Sequence, residues 1–439
     1  MSKKKELDSI RKKIDELDAE LLQMLNQRSS LAIQAGENKK EEVIYKPERE
    51  AYILRQLKKI NTGPLSDKQI VNIFQEIISS CRAQEKEIDS IRKKIDELDA
   101  ELLQMLNQRS SLAIEAGENK KEEVIYRPER EAYILRQLKK INTGPLSDKQ
   151  IVNIFKEIIS SCRAQEKEID IAFLGPEGTY SDSAVKENFG SSINKTASDT
   201  IEEVFKAVSE RKSDYGIVPI QNSSEGPINV TLDCLSDFNL NICGEIEMLI
   251  HHSLMGLNQA LPKKGFEIHA HEQTLAQCKN WLDAYCPEVN RVSVSSNAQA
   301  AKNAKKNSEI FAIAGALAAG KYGLEIIKRN IEDYSNNTTR FISIGLQEVA
   351  STGKDKTSLL VTTKNESGAL YNLLKPIQKN GLNLTHITYR PSKVDKWNYS
   401  FFFDFEGHKD DKKVKSLLEE LNATDAEIKL LGSYPKAEN

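Results

Sequence analysis

The charged side chains of the first third of the chain recur in a pattern that could hold an anion. Arg11, Arg28, Lys39, Arg49, Glu50 and Glu85 return 81 positions later as Arg92, Arg109, Lys120, Arg130, Glu131 and Glu166. Arg11 and Arg28 lie on or beside an apolar helical stripe, where a purely solvated charge is out of place. Each alone reads as a helix surface charge. Several cations converging with one or two carboxylates instead make a pocket for a small dianion, because arginine grips carboxylate bidentately. Further along, three polar clusters stand at or near strand ends: Gly175-Pro176-Glu177-Gly178-Thr179-Tyr180-Ser181, Asn222-Ser223 and Asn337-Thr338-Thr339-Arg340. Thr179, Ser181 and Ser223 taken singly read as helix caps. Together the clusters suit a cleft at the carboxyl edge of an α/β sheet. His251-His252 and His269-x-His271 lack a carboxylate at metal spacing, so they read as packing or polar lining, and no metal or other cofactor is expected.

The elements that must position these groups follow from the pattern. Residues 8–88 and 89–169 align without a gap and differ only at Gln34/Glu115, Lys46/Arg127 and Gln75/Lys156, which marks one small domain copied whole. Within a copy, Ile10, Ile14, Leu17, Leu21 and Leu25 draw a stripe on a long helix to about Ala35. Pro47 opens a second helix (47–60), and the Ser66-x-x-Gln69 capping box a third, to about Glu87. No Gly or Pro interrupts Glu85 to Arg92, so helix three of copy one is expected to run into helix one of copy two. Three unequal helices close a core poorly, and neither copy is expected to stand alone.

From Ile169 short apolar strands alternate with helices, at about 274–285, 298–306 and 315–322, as in an α/β domain. After Gly353-Lys354-Asp355, the order strand, helix, strand, strand, helix, strand (βαββαβ) points to a ferredoxin-like unit. The predicted modules are therefore 1–88, 89–169, 170–350 and 356–436.

Lys+Arg 62 against Asp+Glu 65 gives −3, too balanced for a nucleic-acid binder. No apolar run approaches the ~18 residues of a membrane span, and the lysines of the start precede no apolar segment, so no membrane partner or secretory signal is expected. Six cysteines without metal spacing fit free thiols in a reducing cytoplasm.

The run Ile10-Arg11-x-x-Ile14-Asp15-x-Leu17-Asp18 … Leu25-x-x-Arg28 … Lys39 … Pro47-x-Arg49-Glu50 resembles the all-helical chorismate mutases, end to end in each copy. The resemblance implies rearrangement of chorismate to prephenate, with charge on the breaking ether oxygen stabilised and no covalent catalysis. It implies that Arg28 and a partner's Arg11 clamp the substrate carboxylates, that Lys39 and Glu85 face the ether oxygen, and that Glu50 meets the ring hydroxyl. Because an intertwined pair shares its arginines, site one would combine Arg28, Lys39, Arg49, Glu50 and Glu85 with Arg92. Site two would combine Arg109, Lys120, Arg130, Glu131 and Glu166 with Arg11. Pairing within one chain and pairing between chains both fit the repeat. A carboxyl at Glu85 donates only when protonated, so the mutase is expected to prefer acid pH.

Gly175-Pro176-x-Gly178-Thr179-Tyr180-Ser181, Pro219-Ile220-x-Asn222-Ser223 and Asp333-Tyr334-Ser335-Asn336-Asn337-Thr338-Thr339-Arg340-Phe341 resemble the motifs of prephenate dehydratases over about 171–346. That implies a two-lobed, periplasmic-binding-type domain with prephenate in the cleft, losing carbon dioxide and water to give phenylpyruvate. Thr339 would be the acid and Arg340 the carboxylate partner, with Thr179, Ser181, Asn222 and Ser223 lining the cleft. The tail resembles ACT domains: Gly368-Ala369-Leu370 and Arg390-Pro391 match their effector motifs, although Thr388-Tyr389 replaces the usual Glu-Ser. The resemblance implies feedback inhibition by L-phenylalanine, and a homodimer or higher homo-oligomer through the ACT and dehydratase domains. The alternative is a monofunctional prephenate dehydratase whose helical repeat only dimerises or regulates.

Overall fold

The computed structural model describes residues 3–37, 47–80, 89–119, 126–391 and 398–437. Lys39, Lys120 and Glu85 lie outside them, as do the side chain of Arg92 and the link expected to be helical after residue 80. The chain divides into two compact units, residues 1–169 with 187–194, and residues 170–186 with 195–439.

The first unit holds α1 (Lys3–Glu37), α2 (Pro47–Ile60) and α3 (Asp67–Ser80), repeated as α4 (Asp89–Glu118), α5 (Pro128–Ile141) and α6 (Asp148–Arg163). Proline occupies the first turn of α2 and α5, where its missing N–H costs nothing. A Ser147–Gln150 capping box opens α6. The copies share one core: Leu21, Leu25, Phe74 and Ile77 of the first are buried in one cluster with Leu102, Leu106, Phe155 and Ile158 of the second.

Reciprocal polar pairs cross between the copies. Arg28 bonds Asp99 and Arg109 bonds Asp18, each through two nitrogens at 2.5 and 3.1 Å. Arg49 meets Asp96 and Arg130 meets Asp15, both at 2.5 Å. Asn26 donates to Asn142, and Asn107 to Asn61. Each bond recurs with the copies exchanged, so in this structure the two copies pair about an approximate internal two-fold.

The second unit carries three sheets. Its elements run β1 (Asp170–Leu174), α7 (Tyr180–Phe189), β2 (Asn194–Ser198), α8 (Ile201–Ser209), β3 (Tyr215–Asn222), β4 (Gly226–Pro227), α9 (Asn229–Asp237) and β5 (Asn241–Leu249). There follow β6 (Ser253–Gly256), β7 (Glu267–Ala270), α10 (Glu272–Gln277), α11 (Lys279–Tyr285), β8 (Asn290–Ser293), α12 (Asn297–Lys306), β9 (Ile310–Ala314), α13 (Ala316–Tyr322), β10 (Glu325–Lys328) and β11 (Thr338–Gly345). The first sheet has the order β2-β1-β3-β11-β5, with β4 on β3; the second has β10-β6-β9-β7-β8. The helix predicted over 274–285 is two helices broken at Cys278. The Asp333 carboxylate, remote in sequence, accepts the backbone N–H groups of Asn280 and Trp281 and so starts α11.

The chain crosses from the first sheet to the second at 250–252 and returns at 329–337. The crossings bond each other, Ile250 N–H to Asn337 C=O and Ile331 N–H to His252 C=O.

The third sheet comes from β12 (Asp355–Thr363), α14 (Ala369–Lys379), β13 (Leu384–Pro391), β14 (Tyr399–Glu406), α15 (Lys412–Asn422) and β15 (Glu427–Pro435), in the order β13-β14-β12-β15. Its Leu360, Phe402, Leu431 and Tyr434 are buried with Ile242, Ile342 and Ile344 of the first sheet. Gly432 permits that approach, since a Cβ there would stand 2.4 Å from the Ile242 carbonyl. The modules expected at 170–350 and 356–436 therefore share a core.

Candidate active sites

In the helical unit, residues of both copies line one cavity that is open to solvent. Arg11 and Ile14 come from copy one. Arg109, Arg127, Arg130, Glu131, Cys162, Arg163 and Glu166 come from copy two. Of the residues predicted for site two, only Lys120 is missing, because it lies outside the described segments. For site one, Arg28 and Arg49 are seen on Asp99 and Asp96, and Glu50 is half-buried on α2.

Arginines and glutamates line the cavity together. Burial, with Arg127 and Arg130 nearby, lowers the pKa of Arg11. Burial also opposes the charge of Arg109, but Asp18 more than offsets it and raises the pKa. Arg109 thus reaches the cavity already oriented by a carboxylate of the other copy. Burial raises the pKa of Glu131 despite its 2.7 Å contact with Arg163. Glu166 closes one wall against Gly117, where a Cβ would stand 2.8 Å from the carboxylate carbon.

Arg163 is a residue the sequence reading missed. It holds Glu131, donates to the Phe189 carbonyl at 2.7 Å, and lies 5.2 Å over the Tyr126 ring. Its spacing of three from Glu166 is the signal that could have found it. Arg127 is the other, at one of the three positions where the copies differ.

In the second unit, Thr339 stands near the start of β11 beside the end of β3, and the Asn222 Nδ2 donates to its hydroxyl at 2.8 Å. The amide is held that way round because its Oδ1 accepts the N–H groups of Ser224 and Glu225 at 2.9 and 3.2 Å. Thr339 is therefore an acceptor from Asn222, and its own hydrogen is left to donate. Asn337 links the motifs: its Oδ1 accepts from Asn222 at 3.0 Å and from Ser223 at 3.4 Å, and its Nδ2 donates to Gln277 at 3.4 Å. The chain of contacts goes on from Gln277 to His252 at 2.8 Å and from His252 to Tyr180 at 2.7 Å. His251 pairs with Glu332 at 2.7 Å. Burial lowers the pKa of His252. Tyr180, Asn337, His252 and Gln277 were absent from the predicted set. Tyr180 and Asn337 sit inside motifs already recognised, whereas His252 and Gln277 join only through the fold.

Other expected residues have partners within the protein. Arg340 does not share the Thr339 side of the strand, because successive strand residues face opposite ways. Its guanidinium is buried on Glu245 at 2.8 Å, Tyr434 at 2.9 Å, and Asp404. Thr179 spends its hydroxyl locally, donating to the Leu174 carbonyl at 3.3 Å and accepting the Asp182 N–H at 3.4 Å as a cap of α7. Ser181 is buried in the first turn of that helix. Arg390, expected at an effector, is bidentate to Asp233 of α9 at 2.8–3.1 Å. Gly368 adopts positive φ as the cap of α14, Ala369 and Leu370 form its first turn, and Pro391 is exposed at the end of β13.

Each module of the chain has counterparts among known proteins. Family models match as chorismate mutase type II at residues 10–86 and 91–167, prephenate dehydratase at 171–349 and ACT domain at 357–423. The bifunctional chorismate mutase/prephenate dehydratase of Pseudomonas aeruginosa is 42% identical over 362 residues, covering 81% of this chain and 99% of the relative. Prephenate dehydratase from Arthrobacter aurescens, solved in complex with L-Phe, superposes with TM-score 0.55 at 29% identity, over 61% of this chain and 90% of that one. The quorum-quenching acylase GqqA superposes with TM-score 0.56 at 28% identity, over 61% and 98%. By its matched modules and its identity to that relative, this chain belongs to the bifunctional chorismate mutase/prephenate dehydratase family.

Proposed function

We propose that the chain rearranges chorismate to prephenate in its helical unit and converts prephenate to phenylpyruvate in its α/β unit, under inhibition by L-phenylalanine. The observation that carries the mutase half is the cavity in which Arg11 of one copy joins Arg109, Arg127, Arg130 and Arg163 of the other. Chorismate is a dicarboxylate, and the sigmatropic step breaks a C–O bond as a C–C bond forms, without a nucleophile. What the protein supplies is a compact conformer and cations near the ether oxygen. In this reading Arg11 and Arg109 take the carboxylates, Lys120 and Glu166 face the ether oxygen, and Glu131 takes the ring hydroxyl. Arg92, Arg28, Lys39, Glu85, Arg49 and Glu50 act likewise in the other site.

In the α/β unit, read as two-lobed and periplasmic-binding in type, Thr339 donates to the departing hydroxyl. The electron pair of the bond to the lost carboxylate enters the ring, which becomes aromatic as hydroxide leaves, protonated to water. Asn222 and Ser223 hold the leaving-group side. The ACT module, ferredoxin-like in this reading, takes L-phenylalanine around Gly368–Leu370. The exposed edge strand β13, with Ile387 and Tyr389 outward, suits a homodimer. Buried free thiols fit the cytoplasm.

A chorismate assay that follows prephenate and phenylpyruvate, with and without phenylalanine, tests all of it. Both products and their suppression by phenylalanine are expected. Prephenate consumption without chorismate consumption would leave the helical repeat as a non-catalytic module.

A further inference from the structure

Arg340 adjoins Thr339 yet faces away from it, and what it faces is the third sheet. Its Nε meets Glu245 of β5 at 2.8 Å and its Nη2 the Tyr434 hydroxyl of β15 at 2.9 Å, while Nη1 meets Asp404 of β14. Those partners are bound in turn: Ser358 of β12 touches Asp404 at 2.5 Å and Tyr434 at 2.7 Å, and Lys356 of β12 lies 2.8 Å from Glu245. All are nine-tenths or more buried. A single guanidinium in β11 thus gathers one strand of its own sheet and two of the ACT sheet, with a third, β12, held through Ser358. The register of β11 on β3 slips just after it, between Arg340 and Phe341.

We propose that Arg340 is a positioning residue through which the ACT sheet sets the Thr339 hydroxyl, and not a ligand of the substrate carboxylate. A planar fork held at three points fixes the β11 backbone at Arg340. Thr339, one peptide away, inherits that position, and its distance to Asn222 with it. Displacement of β14 or β15 by an effector on the same sheet then reaches the catalytic hydroxyl with no contact to the cleft. The inference rests on the dehydratase reading above.

The test is steady-state kinetics of Ser358→Ala, Tyr434→Phe and Asp404→Asn in the full chain, with Arg340→Lys for comparison. Ser358→Ala and Tyr434→Phe remove only hydroxyls, so the fold should survive even if Asp404→Asn proves unstable. The mutase activity of the same sample reports intact protein. Dehydratase kcat should fall about three- to tenfold with KM held within about twofold, and each substitution should have little further effect on an Arg340→Lys background. An unchanged kcat in both hydroxyl variants would overturn the proposal, as would an Arg340→Lys variant that raises KM alone. A wild-type chain that fails to convert prephenate would instead remove the dehydratase reading beneath it.

Discussion

Thr339 shows how one hydrogen bond assigns a chemical role. Two backbone donors fix the Asn222 amide, the amide fixes Thr339 as an acceptor, and the hydroxyl proton is thereby committed elsewhere. Thr339→Ala should lower dehydratase kcat by about 10²-fold or more, with Thr339→Ser retaining most of the rate and mutase turnover unchanged in both. Loss of both activities in the alanine variant would instead mark a folding residue. His252 gives a second prediction. Burial depresses its pKa, so the folded state prefers the neutral ring, while the unfolded chain takes up a proton below about 6.5. The stability it contributes is therefore present above that pH and lost as pH falls. The melting temperature of the α/β unit should drop on acidification through pH 6, and His252→Gln should flatten that limb.

At the scale of elements, the two long helices α1 and α4 exchange ion pairs that are almost wholly buried. Asp18→Ala leaves Arg109 charged and unpaired in the core and should destabilise the helical unit by about 3–5 kcal/mol, measurable by urea unfolding. Much of this arrangement was legible in the sequence: the repeat, the apolar stripe, proline at 47 and 128, and the βαββαβ order of the tail follow from local rules. What was lost was lost for identifiable reasons. The break at Cys278 depends on Asp333, more than 50 residues away. That Arg340 and Thr339 face opposite ways follows from the alternation any strand imposes, and a strand over Thr338–Gly345 makes it readable from the residues alone. His252 and Gln277 enter the site only because two crossings between sheets happen to bond each other, which no local pattern announces.

At the scale of the molecule, the ACT sheet also grips helix α9 of the dehydratase module, through Arg390 on Asp233 and through the Lys429 ammonium on the carbonyls of Leu235, Ser236 and Phe238 at its end. Because α9 follows directly on the Asn222–Gly226 turn, Asp233→Ala should shift phenylalanine inhibition at least about threefold while leaving mutase turnover unaltered, as read from inhibition curves in the coupled assay.

The internal two-fold of the helical unit has a kinetic consequence of its own. Two separate subunits must find each other at cellular abundance, so their shared cavities empty on dilution. Copies joined through a short link meet at an effective concentration on the millimolar scale, however dilute the protein is. Mutase specific activity should then be constant down to nanomolar chain. A tethered pair is also released from strict symmetry: Arg127 stands in one cavity while Lys46 is its counterpart in the other copy. A single chain can carry two mutase pockets free to drift apart in affinity, which identical subunits cannot do.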